Sequence, residues 1–233
     1  MRQIPLAIGI EPAHTFDSFL TGPNALAVEH LTNLSPHAAP VYLWGASGTG
    51  KTHLLRALAQ RFDAEGLRTG WFGHTDPAPW LHDPAWSLIV IDGCDALDAH
   101  QQHAAFALFV EASTRGVPVA AAGRVPPVDL PLREDLRTRL GWGHVFGVLP
   151  LAETEVRATL RREADRRGIF LTDEVMDYLL TRFDRDLKHL MAQLDRLDAF
   201  SLSTQRVVTV PLLKQMLLQA QGEPAPGGEE PGR

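Results

Sequence analysis

The chain has 233 residues, 45% hydrophobic and 21% charged, enough apolar material for one large domain or for a core plus a small satellite, which excludes global disorder. A formal net charge of −6 argues against a dedicated nucleic-acid binder, although it leaves room for a local basic patch. The single cysteine, Cys94, rules out an internal disulfide, and neither a signal peptide nor a run of roughly 20 apolar residues is present, so a cytoplasmic protein is expected.

Residues 1–12 are interrupted by Pro5 and Pro12 and read as an extended leader. An amphipathic helix is predicted from Leu26 to Leu34, closed by Pro36 and Pro40, and Val41–Trp44 reads as a short buried strand. The glycine-rich run Gly45-Ala46-Ser47-Gly48-Thr49-Gly50-Lys51-Thr52 follows at once. A helix from about Lys51 to Ala64 comes next, with Leu54, Leu55, Leu58 and Phe62 on one side and Gly66 as its stop. Thr69–Gly73 is a second strand candidate, and residues 74–86 read as loop or short helix. Ser87–Asp92 is continuously apolar up to its last residue, as a parallel strand covered on both faces should be. A helix at 101–113 and a strand at 117–122 complete an alternation that implies a parallel sheet flanked by helices.

Past Leu149-Pro150 the pattern becomes purely helical. Helices are predicted at about 153–167, from Thr172 onward as N-cap, through Leu187, Leu190, Met191, Leu194 and Leu197, and from Pro211 to near Ala220. The expected organisation is a leader at 1–12, an α/β base at 13–150, a small all-α lid at 151–220 and a disordered Gly/Pro/Glu tail at 221–233.

The run Gly45–Thr52 has the G-x-x-x-x-G-K-[ST] spacing of a phosphate-binding loop between an apolar strand and an amphipathic helix. Glycines let backbone N–H groups turn inward around phosphates, Lys51 adds a point charge, Thr52 offers a hydroxyl to Mg²⁺, and the helix points its positive end at the anion. Asp92 ends a buried strand, where a carboxylate for the same Mg²⁺ belongs. Gly93 follows instead of a second acid, and Asp95 is displaced, so nucleotide binding is expected and independent hydrolysis is not.

Other residues have plainer readings. His100 and His103 share a helix spacing but show no third metal ligand, Cys94 reads as a packed side chain, and Trp80 and Trp86 as packing against the base. Arg157, Arg161, Arg162, Arg166 and Arg167 alternate with acids as on a solvated helix face.

Taken together these residues resemble the DnaA-like AAA+ family of replication initiators and, more closely, the Hda group of short DnaA paralogues, over about residues 3–220. The segment Thr15–Asn24 is similar to the family's opening motif beside the adenine. By that likeness Phe16, Phe19 and Gly22 join the loop residues and His53 as nucleotide contacts. Leu136–Gly143 resembles the family's arginine motif, which implies that Arg139 acts as a finger on a neighbour's nucleotide. Lys188 falls at the second sensor, where initiators carry Arg, and Ala120–Ala122 with Arg124 replace the polar first sensor. Gln3, Leu6 and Ile8 resemble the peptide by which replication proteins dock on the β sliding clamp.

The resemblance implies ADP (or ATP) and Mg²⁺ as ligands, DnaA and the sliding clamp as partners, and an arginine acting between subunits in a homodimer or longer oligomer. The Gly/Pro/Glu tail in place of a helix-turn-helix domain favours a regulator that promotes hydrolysis of DnaA-bound ATP. A self-sufficient AAA+ ATPase such as a helicase loader, and a nucleotide-switched adaptor, stay open as alternatives.

Overall fold

The computed structural model describes residues 14–182 and 187–222; the leader with Gln3, Leu6 and Ile8, residues 183–186 and the residues after 222 lie outside the described set, as does the Lys188 side chain. The chain divides into two compact units at Pro150/Leu151.

The first unit is built on five parallel strands, β1 (Val41–Trp44), β2 (Arg68–Gly73), β3 (Trp86–Asp92), β4 (Val119–Gly123) and β5 (His144–Gly147), in the order β2-β3-β4-β1-β5. Its helices are α1 (Ala25–Thr32), α2 (Lys51–Ala64), α3 (Ala99–Arg115) and α4 (Glu134–Leu140). The inner strands are apolar throughout, with Leu88 to Ile91 and all of β4 buried. Parallel strands covered on both faces have no solvent side on which to place polar residues. Two clusters follow. Leu54, Leu55, Leu58 and Phe62 of α2 pack with Leu43, Leu88 and Val90, while Leu108 and Phe109 of α3 with Leu136 and Leu140 of α4 pack with Tyr42, Ile89 and Ile91. Odd and even positions of the same strands therefore feed opposite cores.

Two elements were not predicted. The edge strand β5 is only four residues long and forms because Val41–Trp44 pairs with His144–Gly147 in register. Helix α4 has no side-chain cap at Arg133 and is held by Leu136 and Leu140, one turn apart on its inner side. Helix α3 begins two residues earlier than predicted. Asp98 accepts from the His100 and Gln101 N–H groups while the Gln101 side chain accepts from the Asp98 N–H, a capping box. Gln101 also donates from Nε2 to the carbonyls of His74 and Asp76, pinning the irregular 74–85 connection. That connection contains Trp80, which is buried and stacks on Phe72, and Trp86 beyond it meets Phe72 edge-on.

The second unit contains α5 (Glu153–Arg166), α6 (Asp173–Arg182), α7 (Leu187–Thr204) and α8 (Val210–Gly222). Val156 and Leu160, Met176 and Leu179, Leu190 and Leu194, and Leu212 and Leu213 supply one side chain layer each to a separate apolar core. Arginines in and just after α5 form ion pairs around it. Arg157 bridges Glu153 and Asp177, Arg161 meets Asp173, and Arg167 meets Glu163 and Asp195. No helix among the described residues is long and apolar enough to cross a membrane.

Candidate functional site

The sheet order fixes where chemistry can occur. Strand β4 lies between β3 and β1, with Trp44 opposite Gly123 and Ile91 opposite Ala121. The carboxyl ends of these three strands therefore open onto one place, and in open α/β sheets ligands bind beyond those ends. The loop Gly45–Gly50 leaves β1 there, Asp92 ends β3 there, and Arg124 is the first residue past β4.

The loop is shaped by its glycines. Gly45, Gly48 and Gly50 all have positive φ, and at Gly50, φ +98°, a Cβ would lie 2.6 Å from Cε2 of Phe19. Ala46, Ser47 and Gly48 are exposed, while Gly45 is buried. Helix α2 starts directly behind the loop, so its unpaired N–H groups and positive end face whatever the loop encloses. The Lys51 ammonium donates to the carbonyls of Gly45 and Ala46 at 2.7 Å each, folded over the loop's own backbone. Burial holds Lys51 below the ordinary lysine value; Asp92 and Asp95 pull it back up and Arg124 pushes it further down.

Thr52 donates from Oγ1 to Oδ2 of Asp92 at 2.7 Å. A hydroxyl and a carboxylate in contact at a strand end are the hard-oxygen pair that Mg²⁺ takes from a protein while keeping waters and phosphate oxygens as its other ligands. The donors present thus fit a Mg²⁺-nucleotide: Lys51 and the loop N–H groups for the phosphates, Thr52 and Asp92 for the metal.

Asp95 is bound elsewhere. Gly93, at φ +71°, turns the chain after Asp92 into the short 3₁₀ turn Cys94–Ala96. From that turn Asp95 accepts from the Arg124 backbone N–H at 3.0 Å and from its Nε at 2.5 Å. Cys94 is fully buried beside it, and burial raises its thiol well above the ordinary range, so it remains a protonated packing group. Below β4, Tyr42 donates its hydroxyl to Val125 O; a Cβ at Gly123 would sit 2.2 Å from that hydroxyl. The alanines of β4 carry no polar atom toward the site, and Arg124 is the charged group this strand supplies.

The segment before α1 closes the other side of the loop. His53 Nε2 bonds Thr15 O at 2.9 Å, its ring meets Phe19 and His14, and Phe16 and Phe19 pack onto the α2 core cluster. Gly22 opens the 3₁₀ turn that leads to Asn24. Asn24 is buried and takes both polar groups of Leu149, accepting its N–H at 2.8 Å and donating to its carbonyl at 3.0 Å. This clamp was not predicted. Asn24 stood within the opening motif, but its partner lies 125 positions away.

Arg139 is on the last turn of α4, with its guanidinium carbon 5.1 Å from the centroid of the exposed Trp142 ring. Beside it a shallow groove of about 690 Å³ is lined by Phe106, Arg133, Glu134, Asp135 and Thr138. The sequence gives Arg139 its position; that Trp142 supports it through a cation–π contact emerges only in three dimensions.

The family model for the bacterial DnaA ATPase domain matches residues 10–68, and that for the Hda lid domain matches residues 153–217. The chain is an Hda/DnaA-like AAA+ protein. Domain III of DnaA from Thermotoga maritima has a TM-score of 0.74 to it at 20% identity, covering 89% of this chain and 97% of that one. AMPPCP-bound DnaA from Aquifex aeolicus gives 0.69 at 19% identity, over 92% and 71% of the two chains. A RuvB mutant from Thermotoga maritima shares the fold at 13% identity, with a TM-score of 0.64 over 89% and 73%. In this DnaA-like AAA+ protein, Gly45–Thr52 and Asp92 are assembled in the first unit, whereas Lys188, proposed to contribute from the second, has its side chain outside the described set.

Proposed function

We propose that this DnaA-like AAA+ protein holds an adenine nucleotide on Gly45–Thr52, with Thr52 and Asp92 for Mg²⁺, and acts on ATP bound by the DnaA initiator. Arg139 is the residue that acts in trans. Gln3, Leu6 and Ile8 tether the protein to the β sliding clamp, which places hydrolysis on loaded DNA and leaves the initiator in its ADP form.

The observation that carries this reading is the contrast between a complete phosphate site and an engaged second acid. Lys51 folds over the loop backbone and Thr52 bonds Asp92, while Asp95 is held at two points by Arg124. A site of this kind retains nucleotide better than it activates water. ADP is accordingly the working ligand and serves as a structural switch. A guanidinium supplied across a subunit boundary stabilises charge on the transferred phosphoryl group and accelerates hydrolysis by about 10³–10⁵ in GTPase examples.

The test is hydrolysis of DnaA-bound ATP in the presence of DNA-loaded clamp, with and without this protein. A stimulated rate is expected, lost in Arg139→Ala and lost again when residues 1–10 are deleted. Undiminished stimulation by Arg139→Ala would sink the trans-arginine mechanism.

A further inference from the structure

Strand β2 stands beside β3 in the sheet with Gly73 opposite Asp92, so the residues that follow them, His74 and Gly93, lie side by side. A Cβ at Gly93 would sit 3.3 Å from Nδ1 of His74. The imidazole thus occupies the space next to Asp92 in which a second acid would begin its side chain. Its backbone is pinned from two directions. Gln101, buried in α3, donates to the carbonyls of His74 and Asp76 at 2.8 and 3.0 Å, and Asp76 accepts the Gly73 N–H at 2.7 Å. His74 itself is exposed, and its ring makes no hydrogen bond or ion pair among the described residues. Every other base in the turns after β2 and β3 is engaged or enclosed. Thr52 holds Asp92, Arg124 holds Asp95, and Asp98 caps α3. Asp76 is taken by Gly73, Asp83 by Arg68 and the Ala85 N–H, and both ring nitrogens of His82 are buried. His74 is the base left among these to meet water beside the end of β3.

We propose that His74 is the base that activates water for a single slow hydrolysis of the ATP this chain binds, delivering the ADP form in which it works. The inference rests on the nucleotide-site reading above and deepens it. A water facing the terminal phosphate gives its proton to a ring nitrogen of His74 as its oxygen bonds to the γ-phosphorus. The bond from that phosphorus to the β–γ bridging oxygen breaks. ADP and inorganic phosphate result, and the exposed ring passes the proton to solvent. Imidazole is the side chain most often used for such transfers because it exchanges protons near neutral pH. Phosphoryl transfer is loose in its transition state, so a base has less to contribute than positioning and charge, and the step stays slow. One turnover per bound nucleotide suffices, because the retained product is the working ligand.

The test uses the full chain alone, without initiator or clamp. It is loaded with ATP and Mg²⁺ under single-turnover conditions, and the bound nucleotide is followed over time. The unaltered protein should convert it to ADP, and His74→Ala should do so about ten- to a hundredfold more slowly. His74→Gln, which orients a water and cannot take its proton, should be as slow. A second readout needs no turnover. Titration calorimetry is run with ADP and Mg²⁺, with and without aluminium fluoride as a mimic of the phosphoryl group in flight. His74→Ala should weaken the fluoride complex about tenfold and ADP alone by less than about twofold. A merely structural His74 would lower both affinities together. Bound ATP that stays intact in the unaltered protein, an undiminished rate in either variant, or equal weakening of both complexes overturns the proposal and leaves the nucleotide site standing. If the unaltered protein binds neither nucleotide, the site reading falls with it.

Discussion

Gly50 and Phe19 show how tightly the phosphate loop is fitted to the segment before it. At φ +98° the backbone of Gly50 is in a region that costs an L-residue about 1–2 kcal/mol, and a methyl group there would run into the Phe19 ring. Gly50→Ala is therefore expected to lower stability by about 1–2 kcal/mol in denaturant titration and to weaken nucleotide binding more than that, because the loop and Phe19 must both shift. A variant with normal nucleotide affinity would mean the loop tolerates another shape. The loop was fully legible in the sequence, since eight consecutive residues between a strand and a helix carry it. The Asp95–Arg124 pair was not. In the sequence Asp95 stands out only as displaced and Arg124 only as a substitution; they are 29 positions apart, and only the adjacency of β3 and β4 brings them together.

Among elements, legibility followed the range of the forces that form them. Helices α2 and α5 to α8, with long apolar periodicity, were predicted close to where they lie, and β3 was recognisable from its unbroken apolar run. Strand β5 and helix α4 were not, because four residues ending in glycine and seven without a cap carry little local signal; pairing with β1 and the anchors Leu136 and Leu140 make them. Strand β5 also sets up a titratable contact with α1. His30 of α1 lies 4.3 Å from the His144 ring and 5.0 Å from that of Phe146, with its Nε2 buried and unpaired. Burial lowers its basicity below the ordinary value of 6.5, and His144 lowers it further. Well above pH 6.5 the imidazole is neutral in both folded and unfolded chains and contributes no pH dependence. As the pH falls from there through the depressed folded value, the unfolded chain takes up a proton that the folded chain resists, so stability is lost on the acid side. His30→Phe should accordingly lose less Tm than the unaltered protein between about pH 7.5 and about pH 5.5 in a thermal melt. Equal losses would mean that His30 does not titrate across folding.

At the scale of the whole molecule, the two units have separate apolar cores. The sequence indicated this change of texture at Leu149-Pro150, where strands stop alternating with helices. Leu194 is wholly buried in the second core, and Leu194→Ala should remove about 2–5 kcal/mol there. Hydrogen exchange should then quicken across α5 to α8 while the amides of β1, β3 and β4 keep their protection. Uniform loss of protection in both units would instead reveal one cooperative fold.

Through His53, the first turn of α2 grips the carbonyl of Thr15, so the first described residues lie beside the phosphate loop. Six peptide steps, from residue 8 to residue 14, separate Ile8 from His14. At no more than about 3.5 Å per residue they can span only about 20 Å. A clamp holding Gln3, Leu6 and Ile8 would thus keep the base on a short leash. For a short tether the local concentration of one tethered body around the other is about millimolar. Lengthening the leader would dilute that encounter without altering a single contact at either end.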